Sequence, residues 1–387
     1  MSERPFKISV ADSELDFLRA KLEVTRLPDE LDEAGWAYGV PLADVHRLLE
    51  RWRRGYDWRK YEAELNELPQ FTRDIEVDGF GTLSVHCLHQ RSDVNTAVPL
   101  FFCHGWPGSF IEARKILPLL NEVLPEHPSF HVVALGLPGY GFSQGVKHKG
   151  FTMAQYAEVG HKLMLALGYK EYVTQAGDWG HFVTRKMASM YGKNHDKAWH
   201  TNFTISDIPK LQMNPILFAE LLLHAFMPFS PYSPSERKGL ERSKWFMDNG
   251  AGYYLEQSTQ PQTLGYGLTD SPIGLLAWIY DRLVTWTDKY PWDDDEVLTW
   301  VSIYWFSRAG PASSLRIYYE FEKAGDRELP KVTGVPMGVS YFPAEACIAP
   351  RSWMRTLVGD VVYESQHESG GHFAAYEKPE ELVCDLR

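Results

Sequence analysis

Positive charge is scarce in this chain. Thirty-nine lysines and arginines face 51 aspartates and glutamates, for a net charge of −12 and a pI near 5.6. That balance argues against binding nucleic acid or an anionic membrane through a basic face. Cysteine is scarce too. The four present, Cys87, Cys103, Cys347 and Cys384, show no CxxC or other ligand-like spacing. Neither a metal site nor a disulfide framework is expected, and free thiols fit a reducing compartment. Long apolar runs are missing. No stretch approaches the ~18 residues that a membrane span requires, and no apolar segment follows Met1-Ser2-Glu3-Arg4-Pro5 to make a signal peptide. Repeats and low-complexity tracts are also absent. A soluble, cytoplasmic protein with no membrane anchor and no nucleic-acid partner is expected; a homodimer is left open.

What is present suffices for a large core. In 387 residues, 44% apolar, a domain can bury enough surface to need no metal or disulfide staple. Thirteen tryptophans and 20 tyrosines suit an apolar pocket as well as a ligand-free aromatic core.

The periodicity changes along the chain. Ser13 followed by Asp16 resembles a capping box, and Leu15, Leu18 and Leu22 then share a helix face that ends before Pro28. A second helix is predicted from about Pro41, with Val45, Leu48, Leu49 and Trp52 as its apolar stripe. Alternation then takes over at Ile75 and Val77, turns at Asp78-Gly79 and resumes at Leu83, Val85 and Cys87, as in an antiparallel hairpin. Three short apolar runs follow, Leu100–Cys103, Val132–Leu135 and Tyr172–Thr174, each leading to glycine and then a helical stretch. Strands apolar on both faces and alternating with helices imply an α/β fold with a mostly parallel sheet. From about Ser206 to Glu328 the alternation stops and helical, aromatic-rich patterns replace it; Asp293-Asp294-Asp295-Glu296 there reads as a solvated helix start. Strand pattern returns at Val335–Phe342 and Val361–Tyr363.

The strongest chemical signal is Ala176-Gly177-Asp178-Trp179-Gly180, after a strand and before a helix. Small residues two positions either side of a central residue mark a strained elbow that thrusts the central side chain out at the head of a sheet. The helix N-terminus beside it favours negative charge. Aspartate in a glycine-rich turn is common by itself, but as a nucleophile it restricts the chemistry. Serine attacking a saturated carbon would leave an ether that water does not readily cleave. A carboxylate leaves an ester, which water hydrolyses. The electrophile implied is an epoxide or an alkyl halide.

Two further motifs supply partners. His104-Gly105-Trp106-Pro107-Gly108-Ser109 follows a strand directly, where a hydrolase elbow finds one backbone N–H of its oxyanion hole; the residue after the nucleophile gives the other. Those donors are Trp106 and Trp179, expected to hold the Asp178 carboxylate too, while His104 is read as a structural hydrogen-bonder. Gly370-Gly371-His372-Phe373 follows the last strand and offers His372 as the base, with His367 as competitor; the Gly-Gly lead-in lets the backbone approach and favours His372. The acid that orients it is sought after the strand at Val335–Phe342, where Glu345 fits better than Asp360, which precedes the next strand as a turn residue.

With these residues in view the sequence resembles the microsomal-type epoxide hydrolases, most closely their soluble fungal members, across nearly the whole chain. Trp36-Ala37-Tyr38-Gly39 and Tyr56-Asp57-Trp58 look like that family's N-terminal domain. The resemblance implies an α/β-hydrolase fold with an N-terminal extension at residues 1–90, a core at 91–205 and 329–387, and a helical lid at 206–328. It implies two lid tyrosines on the epoxide oxygen. Gly250-Ala251-Gly252-Tyr253-Tyr254-Leu255 gives Tyr253, and Leu315-Arg316-Ile317-Tyr318-Tyr319-Glu320 gives Tyr318, with Tyr254 and Tyr319 as neighbours one position away. A small apolar epoxide is the expected substrate, and no metal or organic cofactor is called for. The closing helix after His372 is expected to be shorter than the family norm. The rivals are a haloalkane dehalogenase and a hydrolase-fold binding protein without chemistry.

Overall fold

The computed structural model describes residues 3–387. Nine strands form one sheet in the order β1-β2-β3-β5-β4-β6-β7-β8-β9. The edge is antiparallel: β1 (Arg4–Pro5), β2 (Gln70–Val77) and β3 (Gly81–Gln90), with Ile75 opposite Leu83 across the hairpin. β3 then pairs antiparallel with β5 (Phe130–Leu135). From there the sheet is parallel through β4 (Val98–Cys103), β6 (Tyr172–Ala176), β7 (Asp196–Thr201), β8 (Val332–Tyr341) and β9 (Gly359–Gln366). The residues read as wholly apolar strands, Leu100–Cys103 and Val132–Leu135, are buried throughout because helices cover both faces.

The N-terminal segment packs as α1 (Asp12–Glu23), α2 (Leu42–Arg54) and α3 (Trp58–Leu65). Both predicted apolar stripes are buried. The capping box at Ser13 is not formed. The helix starts at Asp12 with Ala11 as N-cap, so Ser13 already lies inside it, and Asp16 pairs with Arg19 at 2.9 Å instead. The core helices are α4 (Ile116–Asn121), α5 (Met153–Ala166) and α6 (Asp178–Tyr191).

Between β7 and β8 the chain leaves the sheet for seven helices: α7 (Pro215–Phe226), α8 (Pro234–Asn249), α9 (Gly252–Thr259), α10 (Pro261–Asp270), α11 (Pro272–Thr285), α12 (Asp294–Trp305) and α13 (Arg316–Ala324). The acidic run does start a helix: Asp293 caps α12 and Glu296 completes a capping box. It is not simply solvated. Arg51 reaches Asp295 through two bonds of 2.7 Å, the Tyr61 hydroxyl donates to the same carboxylate, and Arg47 contacts Asp294. These acids are the surface on which the N-terminal helices sit. Among the described residues no helix is long and apolar enough to cross a membrane.

Candidate active site

The carboxyl ends of β4, β6 and β8 converge on one point, the crevice where open α/β sheets place their sites. β6 ends at Ala176 and α6 begins at Asp178, so the chain reverses within one residue. Asp178 takes φ 47°, a left-handed conformation that costs a non-glycine residue about 1–3 kcal/mol. Gly180 allows the turn, since a Cβ there would lie 2.1 Å from the Cys103 carbonyl oxygen of β4.

Asp178 Oδ1 accepts the Trp106 amide at 2.7 Å, and Oδ2 faces His372 Nε2 at 3.4 Å. The Trp179 amide makes no hydrogen bond to the carboxylate, a correction to the expected pair of amides. The Trp106 loop is held from the far side by α12: Trp300 Nε1 donates to the Pro107 carbonyl at 2.5 Å, and the Tyr304 hydroxyl to that of Gly108 at 2.6 Å. The Trp106–Pro107 peptide is cis.

His372 Nδ1 meets Glu345 Oε1 at 2.6 Å, with Glu345 wholly buried. Burial disfavours the imidazolium, but the negative charges of Glu345 and Asp178 outweigh it and raise the His372 pKa well above its ordinary value. The loop carrying His372 is pinned to the lid. Its amide donates to the Trp286 carbonyl at 2.9 Å, and a Cβ on Gly371 would come within 2.4 Å of that same oxygen. The Gly-Gly lead-in is a requirement of this close approach. His367 lies elsewhere, bonded at 2.7 Å to Asp385 of the short C-terminal helix Pro379–Leu386. Asp360 lies inside β9 opposite Pro336, not in a turn before the strand as expected, and accepts the Gly334 amide at 2.7 Å. His104 is buried, its Nε2 accepting from the Leu137 amide at 3.2 Å, and burial lowers its pKa to about 4, so it stays neutral.

Above Asp178 a cavity of about 660 Å³ opens under the lid, lined by Trp179, Phe182, Tyr253, Tyr318 and Phe321 among others. Tyr318 is buried and its hydroxyl has no partner in the protein. Tyr253 stacks on Trp106 with ring centroids 5.3 Å apart. Burial first, and for both also the charge of Asp178, raises the two phenols well above 10, so both hydroxyls keep their protons. The neighbours are occupied or elsewhere. Tyr254 donates to Glu322 at 2.5 Å, and Tyr319 lies off the cavity with Lys323 over its ring.

The profile of the epoxide hydrolase N terminus matches residues 3–113, and that of the alpha/beta hydrolase fold matches residues 98–227. A relative from Stigmatella aurantiaca is 39% identical, aligned over 99% of this chain and 83% of its own. Epoxide hydrolase 1 of Sus scrofa is 33% identical over 100% of this chain and 88% of its own. The chain belongs to the epoxide hydrolase family. The structure of Aspergillus niger epoxide hydrolase superposes with a TM-score of 0.86 at 35% identity, covering 100% of this chain and 95% of that one. The fold of this epoxide hydrolase is thus the α/β-hydrolase fold expected from its motifs.

Some residues at the site carry no motif. Arg242 of α8 donates to the carbonyls of Ala344 and Glu345 at 2.7 Å each, fixing the acid loop from the lid. Glu112 is buried beside Asp178 and His372. The one signal for it in the sequence is a lone charge in the apolar run Phe110-Ile111-Glu112-Ala113.

Proposed function

We propose that this epoxide hydrolase works through a covalent ester on Asp178, formed and then hydrolysed in two steps. The observation that carries the reading is the position of the Asp178 carboxylate, bonded to the Trp106 amide, 3.4 Å from His372 and lining the same apolar cavity as two protonated phenols. Asp178 attacks the less hindered epoxide carbon. The C–O bond breaks as the hydroxyls of Tyr253 and Tyr318, both protonated near pH 7, hydrogen-bond the epoxide oxygen; one gives the alkoxide its proton and is reprotonated from solvent before the next turnover. His372, oriented by Glu345, then takes a proton from water as the water oxygen bonds to the ester carbonyl carbon. The amides of Trp106 and Trp179 hold the oxyanion, the latter having no partner in the first turn of α6 until then. The bond between the carboxyl carbon and the alkyl oxygen breaks as the His372 imidazolium returns its proton to that oxygen; a vicinal diol leaves, and the Asp178 acid ionises to solvent to restore the carboxylate.

The cavity favours a small apolar epoxide, and the tyrosine pair favours its oxygen over a halide. Free cysteines support a soluble enzyme of the cytoplasm. A single turnover of styrene oxide in ¹⁸O-water with enzyme in excess tests the covalent route. The first diol is expected unlabelled, because its new oxygen comes from Asp178; label in that diol refutes the ester. Asp178→Ala is expected to abolish turnover, and His372→Gln to alkylate and stall.

A further inference from the structure

A second cavity of about 10 Å³, the size of one water molecule, shares Asp178 with the substrate cavity. Four polar side chains line it: Asp178, His372, Asn202 and Glu112. Three are spoken for. Asp178 becomes the ester, and His372 Nε2 is the base. Asn202 is engaged on both sides of its amide, donating to the His372 backbone carbonyl at 3.3 Å and accepting from the Gln175 side-chain amide at 2.9 Å. Glu112 alone has no assigned task.

Its place is built for it. Glu112 sits in the short helical turn Phe110–Arg114, among buried apolar neighbours, directly after the Trp106 loop. A Cβ added at Gly108 would lie 1.5 Å from Glu112 Oε1, so the last glycine of His-Gly-Trp-Pro-Gly makes the space the carboxyl occupies. Burying an ionised carboxyl that no salt bridge pairs costs several kcal/mol. Burial raises its pKa to about 8; the positive charge of His372 and the backbone amide of Gly105 oppose this, and the negative charge of Asp178 adds to it. At neutral pH the group is mostly the uncharged acid, with a carbonyl oxygen free to accept.

We propose that Glu112 is the positioning residue for the hydrolytic water. Water gives one proton to His372 Nε2 as its oxygen attacks the Asp178 carboxyl carbon. Its second O–H points at the Glu112 carbonyl oxygen, which fixes the direction of the attacking lone pair. Glu112 takes no part in ring opening, because it does not line the cavity that Tyr253 and Tyr318 line. Asp178 lines both cavities; Glu112 lines only the small one. The inference rests on the covalent reading above.

Two variants of similar volume separate a polar role from a packing one. Glu112→Gln keeps a carbonyl acceptor, whereas Glu112→Met fills the space and offers none. Mixing enzyme in excess with styrene oxide and following tryptophan fluorescence reads ester formation and ester hydrolysis as separate phases. Glu112→Met is expected to slow hydrolysis about 10- to 100-fold, the usual cost of a misplaced reactant, with ester formation nearly unchanged. The ester should then accumulate by intact mass, and Glu112→Gln should restore most of the hydrolysis rate. Hydrolysis at the parent rate in Glu112→Met, or equal slowing of both phases, overturns the assignment. His372→Gln serves as control. Ester trapped there but not in Glu112→Met removes only the role of Glu112, whereas no ester in either removes the covalent reading itself.

Discussion

Asp178 and His372 each set the other's state. In the resting site the carboxylate and Glu345 together favour the imidazolium. Alkylation of Asp178 would erase one of those two charges, so the imidazole loses its proton more readily and becomes a base only once there is an ester to hydrolyse. On the proposed route the tyrosines act at the earlier step. Tyr253→Phe and Tyr318→Phe are each expected to slow ester formation about 10- to 100-fold, the range for losing a positioned proton donor, as measured by single-turnover fluorescence. Tyr319→Phe, which lies off the cavity, should leave that phase within about threefold. Much of this was legible in the sequence, because Asp178, His372 and Glu345 each sit at a turn whose residues announce it. Asn202 and Glu112 were not, since they contribute through burial and through which cavity they face, and neither leaves a periodic trace.

Elements hold these residues from both sides. α12 carries the Trp106 loop on Trp300 and Tyr304, and α8 carries the acid loop on Arg242. Replacing Arg242 with methionine removes charge-assisted bonds to the Ala344 and Glu345 carbonyls. A loss of about 2 kcal/mol is expected in denaturant unfolding, together with a fall in kcat as Glu345 loosens. An unchanged kcat would show that the loop keeps its shape without the lid. The hairpin and parallel strands were readable from periods of two and from wholly apolar runs. The capping box at Ser13 misled, because a serine and an aspartate at the right spacing say nothing of which residue the helix starts on. The acidic run at 293–296 was half read: its capping chemistry is local, but its partners are some 240 residues away in sequence.

On the scale of the whole molecule, the N-terminal helices are tied to the lid rather than to the sheet alone. Arg47 and Arg51 of α2 meet Asp294 and Asp295 of α12, and Tyr56 bonds Thr299 at 3.1 Å. The hydrogen bond from Arg51 holds the Asp295 carboxyl below its ordinary value of 3.8. A carboxyl depressed in the fold contributes stability that is fully present above that value and lost as pH falls through the lower one. Asp295→Ala is therefore expected to lower Tm at pH 7 and to approach the parent protein as pH falls well below 3.8, measured by calorimetry across that range. A difference that persists in acid would place the effect in packing and not in charge.

α12 joins these two sets of contacts. One end of it receives the arginines, and further along the same rod the Trp300 and Tyr304 side chains grip the loop that presents the Trp106 amide to Asp178. The helix is thereby a rod with the extension's arginines at one end and, further along, the loop whose Trp106 amide meets Asp178. Exchanging the first helices among relatives would retune turnover without altering a single atom that substrate meets.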